Sequence, residues 1–390
     1  MSTLQNPALF VSSLSPGFIA GGSQCTFAFL RAVSEIHRGR VTYLGPPFLE
    51  PKPAVVIESS LLVRPRPFIA KAFGLLTGRH VDRTTPAAVT YLKKHKTFGV
   101  VYVKGEISGK VVGVARRLGM PVVFIPHNFA PEYLTATARH PRIDIRWLHR
   151  RVAIRCALEG YRLADLRLCL TEHDRLAYER ATGTSGAAEG NMYFGYPMPP
   201  QPLAATPETF TVLVNTNMAS RENEDGVIFF LNHVWTHING REGWRLILAG
   251  RHPTARIKDR AAQFGNVEVI SRPEPEQMEA LFARSSVCVA SSRTGSGIKL
   301  RVAEALRRGL PVVSSAHCSR GYEQVSPDVM RIYGSPEECL LQLRSLAQED
   351  LDVLRLRCRA EYERHFSFSV GVSKCQAALG TLRLERMVTA

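Results

Sequence analysis

The sequence predicts an α/β protein of two doubly wound, Rossmann-like domains, each built on a parallel sheet. Three observations carry this reading: apolar runs of strand length alternate with helical patterns in two separate series, a proline-rich stretch divides the series, and glycine loops follow strands. Runs that are apolar throughout belong to strands buried on both faces, and helices packed on both sides of a sheet provide that burial.

In the first series, Ala8 to Leu14 reads as a strand, the loop from Pro16 to Ser23 follows, and a helical pattern runs from Gln24 to Ile36. The alternation continues with strands at Phe98 to Val103 and Pro121 to Ile125, and helices at Gly109 to Leu118 and Ile145 to Leu163. A strand at Leu166 to Leu170, a helix at Glu172 to Thr182 and a short strand near Met192 to Phe194 complete it. The segment Tyr196-Pro197-Met198-Pro199-Pro200-Gln201-Pro202 lacks periodicity and is the linker candidate.

The second series has strands at Thr209 to Val214, Arg245 to Ala249, Val267 to Ile270, Val287 to Ala290 and Pro311 to Ser314. Its helices are expected at Asp225 to Ile238, Ala255 to Phe264, Glu276 to Arg284 and Ile298 to Arg308, with closing helices at Pro336 to Ala347 and Leu351 to Phe366. The expected domains are therefore 1–197 and 203–365, with residues 366–390 as a C-terminal helix packing back towards the first domain.

Length and composition agree with two ordinary cores, since the chain has 390 residues, 45% of them hydrophobic and 22% charged. No stretch reaches the roughly 18 to 20 apolar residues needed to cross a bilayer, and the first residues do not resemble a secretory signal. A cytoplasmic location is expected, with peripheral contact at the inner face of the membrane as an option. Eight single cysteines, none in a Cys-x-x-Cys pair, fit reduced thiols. The formal net charge of +16 favours anionic partners. There is no aromatic-basic RNA motif, and no nucleic-acid partner is expected.

In an open parallel sheet, ligands collect at the carboxyl ends of the strands. After the Val287 to Ala290 strand comes Ser291-Ser292-Arg293-Thr294-Gly295-Ser296-Gly297-Ile298-Lys299, leading into a helix. Glycines let the backbone approach a phosphate, free amides and the positive helix end face the anion, and Lys299 adds a full charge. Glu304, one to two turns on, stands where a carboxylate can accept hydrogen bonds from two ribose hydroxyls. Read alone, the same loop also serves as a plain strand-to-helix turn, and Glu304 as a solvated helix residue.

The run from Gly295 to Ser315, Gly-Ser-Gly-Ile-Lys-Leu-Arg-Val-Ala-Glu-Ala-Leu-Arg-Arg-Gly-Leu-Pro-Val-Val-Ser-Ser, resembles the donor-binding signature of GT-B fold glycosyltransferases of family 4, glycosyl transferases group 1. Asn217 to Val227, Leu248-Ala249-Gly250-Arg251-His252-Pro253, Pro126-His127-Asn128, Glu159 and Thr171-Glu172-His173-Asp174 are similar to further family elements in the same order. The resemblance spans most of residues 120 to 320.

The resemblance implies transfer of a sugar from a nucleoside-diphosphate sugar to an acceptor hydroxyl, in a cleft between the domains. Retention of configuration, no metal and no cofactor beyond the sugar nucleotide are implied with it. The acceptor would be a glycan, a lipid-linked sugar or another hydroxyl, in bacterial surface polysaccharide, glycolipid or glycoconjugate synthesis. By position, His127 and Asn128 would be catalytic. Gly21, Gly22, Arg221, Asn223, Arg251, Arg293, Gly295, Ser296, Gly297, Ile298, Lys299 and Glu304 would bind the donor.

Two departures limit the transfer. Many members carry a glutamate eight positions before the ribose-binding one, and here that position is Ser296. Many also place an arginine and a lysine after the first strand of the second domain, whereas Arg221 is followed by Glu222 and Asn223. The alternatives are a nucleotide-sugar epimerase or hydrolase of the same fold, and a non-catalytic nucleotide-sugar-binding subunit.

Arg142, Arg146 and Arg150 recur every four residues beside Arg151 and Arg155, with Ile143, Trp147 and Ile154 on a neighbouring face. This basic amphipathic pattern suits docking on anionic lipid, and equally a solvated arginine face over packed apolar residues.

Overall fold

A computed structural model describes residues 7–17, 21–50, 54–63, 82, 84–105, 109–136, 145–195, 207–238, 240 and 242–388, with side chains for all of these except 145, 146 and 383–388. The chain divides into two compact units, Met1–Pro197 with Ser367–Ala390, and Met198–Phe366.

The first unit begins β1 (Ala8–Ser12), α1 (Gly21–Ile36), β2 (Val41–Gly45), β3 (Ser59–Leu62), α2 (Thr84–Lys94), β4 (Val100–Lys104), α3 (Gly109–Arg117) and β5 (Val122–Ile125). It continues α4 (Ala130–Ala136), α5 (Ile145–Leu163), β6 (Leu166–Leu168), α6 (Glu172–Thr182) and β7 (Ala188–Glu189). Its seven strands are ordered β3-β2-β1-β4-β5-β6-β7 and all pair in parallel. Each residue of β1, β4 and β5 is buried, as runs apolar on both faces require. Ser12 pairs with Lys104, and Lys104 with Ile125, so the chain leaves three adjacent strands at one level.

The second unit runs β8 (Phe210–Asn215), α7 (Arg221–His233), a 3₁₀ turn (Trp235–His237), β9 (Trp244–Gly250), α8 (Ala255–Ala261), β10 (Val267–Ser271), α9 (Pro275–Ala283) and β11 (Val287–Ala290). Then come α10 (Leu300–Arg307), β12 (Val312–Ser315), β13 (Met330–Tyr333), α11 (Pro336–Leu346) and α12 (Leu351–Phe366). The order is β10-β9-β8-β11-β12-β13, again all parallel. The strand order reverses between β1 and β4 in one unit and between β8 and β11 in the other, and ligand crevices of doubly wound sheets open at such points. The last helix, α13 (Phe368–Val388), belongs to the first unit and packs on α1.

The chain thus has the doubly wound parallel α/β architecture that the sequence predicts, with local corrections. Residues 192–194 form no strand; their side chains are buried as packing, and Phe194 lies 4.8 Å from the Phe29 ring and 6.3 Å from Phe368. α7 starts at Arg221 rather than Asp225, because Ser220 adopts the extended N-cap conformation and Glu222 and Glu224 suit the positive end of the helix. α10 starts at Leu300 rather than Ile298, since the Lys299 backbone is still extended (φ −95°, ψ 93°). The sequence contains one Asp-x-Asp triplet, Asp350-Leu351-Asp352. It opens α12, where Asp350 Oδ1 accepts the Asp352 and Val353 amides as a helix cap does.

All eight cysteines are free and buried. Among the described residues, no helix is long and apolar enough to cross a membrane, and no cluster of three His, Cys, Asp or Glu residues could hold a metal ion.

Candidate functional site

At the carboxyl end of the second unit's sheet, the pairs Val212–Val287 and Leu213–Cys288 bring the ends of β8 and β11 side by side. The 216–220 turn and the 291–299 loop therefore leave from adjacent strands. The loop turns sharply at Gly295 (φ 110°) and Gly297 (φ 70°), backbone conformations that side chains bearing a Cβ rarely adopt. Above it lies α7, and it lies close: a Cβ on Gly226 would meet Ser291 O at 2.7 Å and Ser292 Cα at 2.8 Å.

Asn223 ties these pieces together. Its Nδ2 donates to Asn217 O (3.0 Å) and Ser220 Oγ (2.7 Å), and its Oδ1 accepts from Ser292 Oγ (2.7 Å) and Arg301 Nη2 (2.7 Å). One buried amide joins the turn after β8, the loop after β11 and the first turn of α10. From below, the Tyr322 hydroxyl donates to Lys299 O (3.0 Å) and accepts the Ala303 amide (3.3 Å), fixing the start of that helix.

The donor-binding candidates of this unit separate into three groups. Gly295, Ser296, Gly297, Ile298 and Lys299 form one continuous turn at the strand end; Lys299 is the N-cap residue of α10, and its Nζ donates to Ser296 O at 3.0 Å. Glu304, in the second turn of α10, is half-buried, 3.8 Å from Arg308 Nη1. Arg221, Arg251, Arg293 and Asn223 lie outside this turn. Arg221 is exposed and 3.7 Å from Asp225, Arg251 is exposed, and the Arg293 guanidinium lies over the Phe229 ring of α7, 4.2 Å from its centroid. Asn223 has both ends of its amide committed to the protein, which makes it a strut.

In the first unit, β5 ends in the turn that carries His127 and Asn128, and α6 clamps it. Tyr178 bonds Asn128 O and the Ala130 amide, while Asp174 Oδ1 accepts the Phe129 amide at 3.1 Å and Oδ2 accepts from Thr171 Oγ1 at 2.9 Å. Thr171 is also the N-cap of α6, accepting the Asp174 amide. Burial pushes the Asp174 carboxyl up to about 6, against its hydrogen bonds from Thr171 and Phe129. Beside it, Glu172 is held below the usual carboxylate range by its bidentate bond to Arg175.

Gly21 and Gly22 open α1. A Cβ on Gly22 would lie 3.4 Å from His127 Nε2, so the glycine-rich helix start and the imidazole are neighbours. Asn128 is buried, and its carbonyl serves the turn.

The basic α5 is partly described. Arg142 and Ile143 lie outside the described residues, as does the side chain of Arg146. Arg150 is half-buried, Arg151 and Arg155 are exposed, and Arg151 stacks 4.8 Å from the Trp147 ring centroid. Trp147, Leu148, Arg151, Ile154 and Arg155 line a groove of about 1010 Å³ between α5 and the end of α6.

Sequence reasoning assigned nothing to Arg301, Tyr322, Tyr178 or Gly226. For Arg301 a signal was present: a second cation, beside Lys299, in a first turn that contains no acidic residue.

Residues 209–345 match the family described as glycosyl transferases group 1. No curated protein matches the sequence. Among solved structures, the chain is similar to Alr3699/HepE of Anabaena in complex with UDP (15% identity, TM-score 0.64, covering 96% of this chain and 100% of that one). It is also similar to sucrose-phosphate synthase of Thermosynechococcus elongatus (14%, TM-score 0.65, 98% and 100%) and to the lipopolysaccharide outer core galactosyltransferase WaaB (12%, TM-score 0.63, 96% and 99%).

Proposed function

We propose that this chain, which has the GT-B fold and carries a glycosyl transferases group 1 segment over residues 209–345, moves a sugar from a nucleoside-diphosphate sugar to an acceptor hydroxyl. The observation that carries the reading is the 295–299 turn at the switch point between β8 and β11, followed by α10. The amides there and Lys299 stabilise the leaving diphosphate, and such charge stabilisation is commonly the largest catalytic effect. Glu304 accepts the ribose hydroxyls. His127, beside Gly22, acts near the transferred sugar, with Asn128 supporting its turn. The reaction retains anomeric configuration, needs no metal, and serves bacterial surface polysaccharide, glycolipid or glycoconjugate synthesis.

The test is product analysis by mass spectrometry after incubation with a panel of sugar nucleotides, with and without hydroxyl acceptors and with and without a chelator. Acceptor-dependent release of nucleoside diphosphate, unaffected by chelation, supports the reading. Donor consumed without acceptor means an epimerase or hydrolase, and donor bound but never consumed means a binding subunit.

A lipid-linked acceptor is the class that the α5 groove favours, because arginines and a tryptophan line one surface there. Flotation with anionic but not neutral liposomes, lost in Arg151→Glu/Arg155→Glu, tests that contact.

A further inference from the structure

Arg301 is the second residue of α10. Its Nη2 bonds Asn223 Oδ1, while Nη1 is buried without a hydrogen-bond partner among the described residues. Arg301 as a whole is half-buried, but a charged N–H buried without an acceptor is poorly compensated. Its position opposes it as well, because the first turn of a helix repels cations, Lys299 adds a second positive charge, and the turn holds no acid. The acids around the loop are Glu304, three residues on in the same helix, and Glu222 of α7, whose Cγ would lie 3.3 Å from a Cβ on Gly295.

Two further donors stand at the same strand ends in the same condition. Thr216 Oγ1, just after β8, and Ser296 Oγ, in the loop after β11, belong to residues 7% and 9% exposed, and neither has a hydrogen-bond partner among the described residues. Orphaned donors at the same strand ends as a half-satisfied cation call for a ligand that is negatively charged and rich in acceptor oxygens. A diphosphate has both properties, and a guanidinium fork suits its geometry.

We propose that Arg301, together with Lys299, is a charged side chain that binds the donor diphosphate. The inference rests on the donor-site reading above and adds a second cationic residue to Lys299. Asn223 aims the fork: by occupying Nη2, it leaves Nη1 for a phosphate oxygen.

The experiment is calorimetric titration of the full chain with inorganic pyrophosphate and with uridine, guanosine, adenosine and thymidine diphosphates. It compares wild type, Arg301→Gln, Arg301→Lys and the surface control Arg284→Gln, with thermal melts as a check on folding. Wild type should bind pyrophosphate and at least one nucleoside diphosphate, Arg301→Gln should bind both about 20-fold or more weakly, and Arg284→Gln should stay within twofold. Should Arg301→Gln fail to fold, Arg301→Lys carries the test, with at least about fivefold weaker binding expected because the fork is lost. Wild-type binding with variant affinities within threefold overturns the role of Arg301 and leaves the donor site standing. A wild type that binds none of the five overturns both.

Discussion

The Tyr178 hydroxyl donates to the carbonyl oxygen of Asn128 at 2.9 Å and accepts the Ala130 amide at 3.2 Å, so one side chain of α6 spans the turn that carries His127. Tyr178→Phe keeps the ring stacked on Tyr161, 4.6 Å between centroids, and orphans the buried amide. A loss of about 1–2 kcal/mol in urea unfolding is predicted. Turnover should fall with it, while diphosphate affinity, which the proposal assigns mainly to the other unit, stays within twofold.

Asp174 makes a pH-dependent prediction. Its carboxyl is raised to about 6 by burial, whereas in the unfolded chain it titrates near 3.9. Between roughly pH 4 and 6 the folded protein holds a proton that the unfolded chain has lost. The stabilisation is therefore fully present below about pH 4 and is lost as pH rises through 6. Asp174→Asn can keep both local contacts, accepting from Phe129 and donating to Thr171. Relative to wild type, it should gain up to about 3 kcal/mol between pH 4 and pH 7. A stability difference that stays flat over that range contradicts the assignment.

Gly226 is where α7 rests on the 291–292 backbone. Gly226→Ala places a carbon 2.7 Å from Ser291 O. Backbone cannot swing aside as a side chain does, so unfolding should show a loss of about 1–3 kcal/mol. Wild-type stability would mean that the helix does not lie on the loop.

The two candidate half-sites should separate kinetically. Lys299→Ala should weaken donor binding by more than about tenfold, as removal of a charge-assisted contact does. His127→Ala should lower kcat by about 100-fold and leave donor affinity within threefold, because loss of an acid–base or polar group acts on the reaction rather than on diphosphate capture. Calorimetry beside steady-state rates distinguishes them.

Much of the fold was legible where local chemistry and tertiary burial agree. β11, Val-Cys-Val-Ala, is buried on both faces and reads as such. α6 lies at Glu172–Thr182, between the Thr171 cap and a left-handed Gly183. Legibility failed where the two disagree. Met192-Tyr193-Phe194 has strand chemistry, but its side chains fill space beside α1 and α13, and although the Met192 amide bonds Cys169 O just past β6 at 3.0 Å, no strand ladder forms among the described residues. β13 is a four-residue edge strand with Ile332 half exposed, too short and too mixed to stand out.

In the candidate site, the glycine turn could be read because it depends on residue type and spacing. The orientation of the arginines could not. Arg293 turning onto Phe229, and Arg301 reaching Asn223 from 78 positions away, follow from how α7 crosses the loop at Gly226. That crossing is tertiary, and no local pattern encodes it.

The most direct measurement is hydrogen exchange of the backbone amides with and without a saturating nucleoside diphosphate. If the turn that opens α10 is an anion cradle, protection should appear at residues 295–301 and in the adjoining 216–223 segment. Saturable binding that leaves those amides exchanging at their free rate, with protection elsewhere, would contradict it.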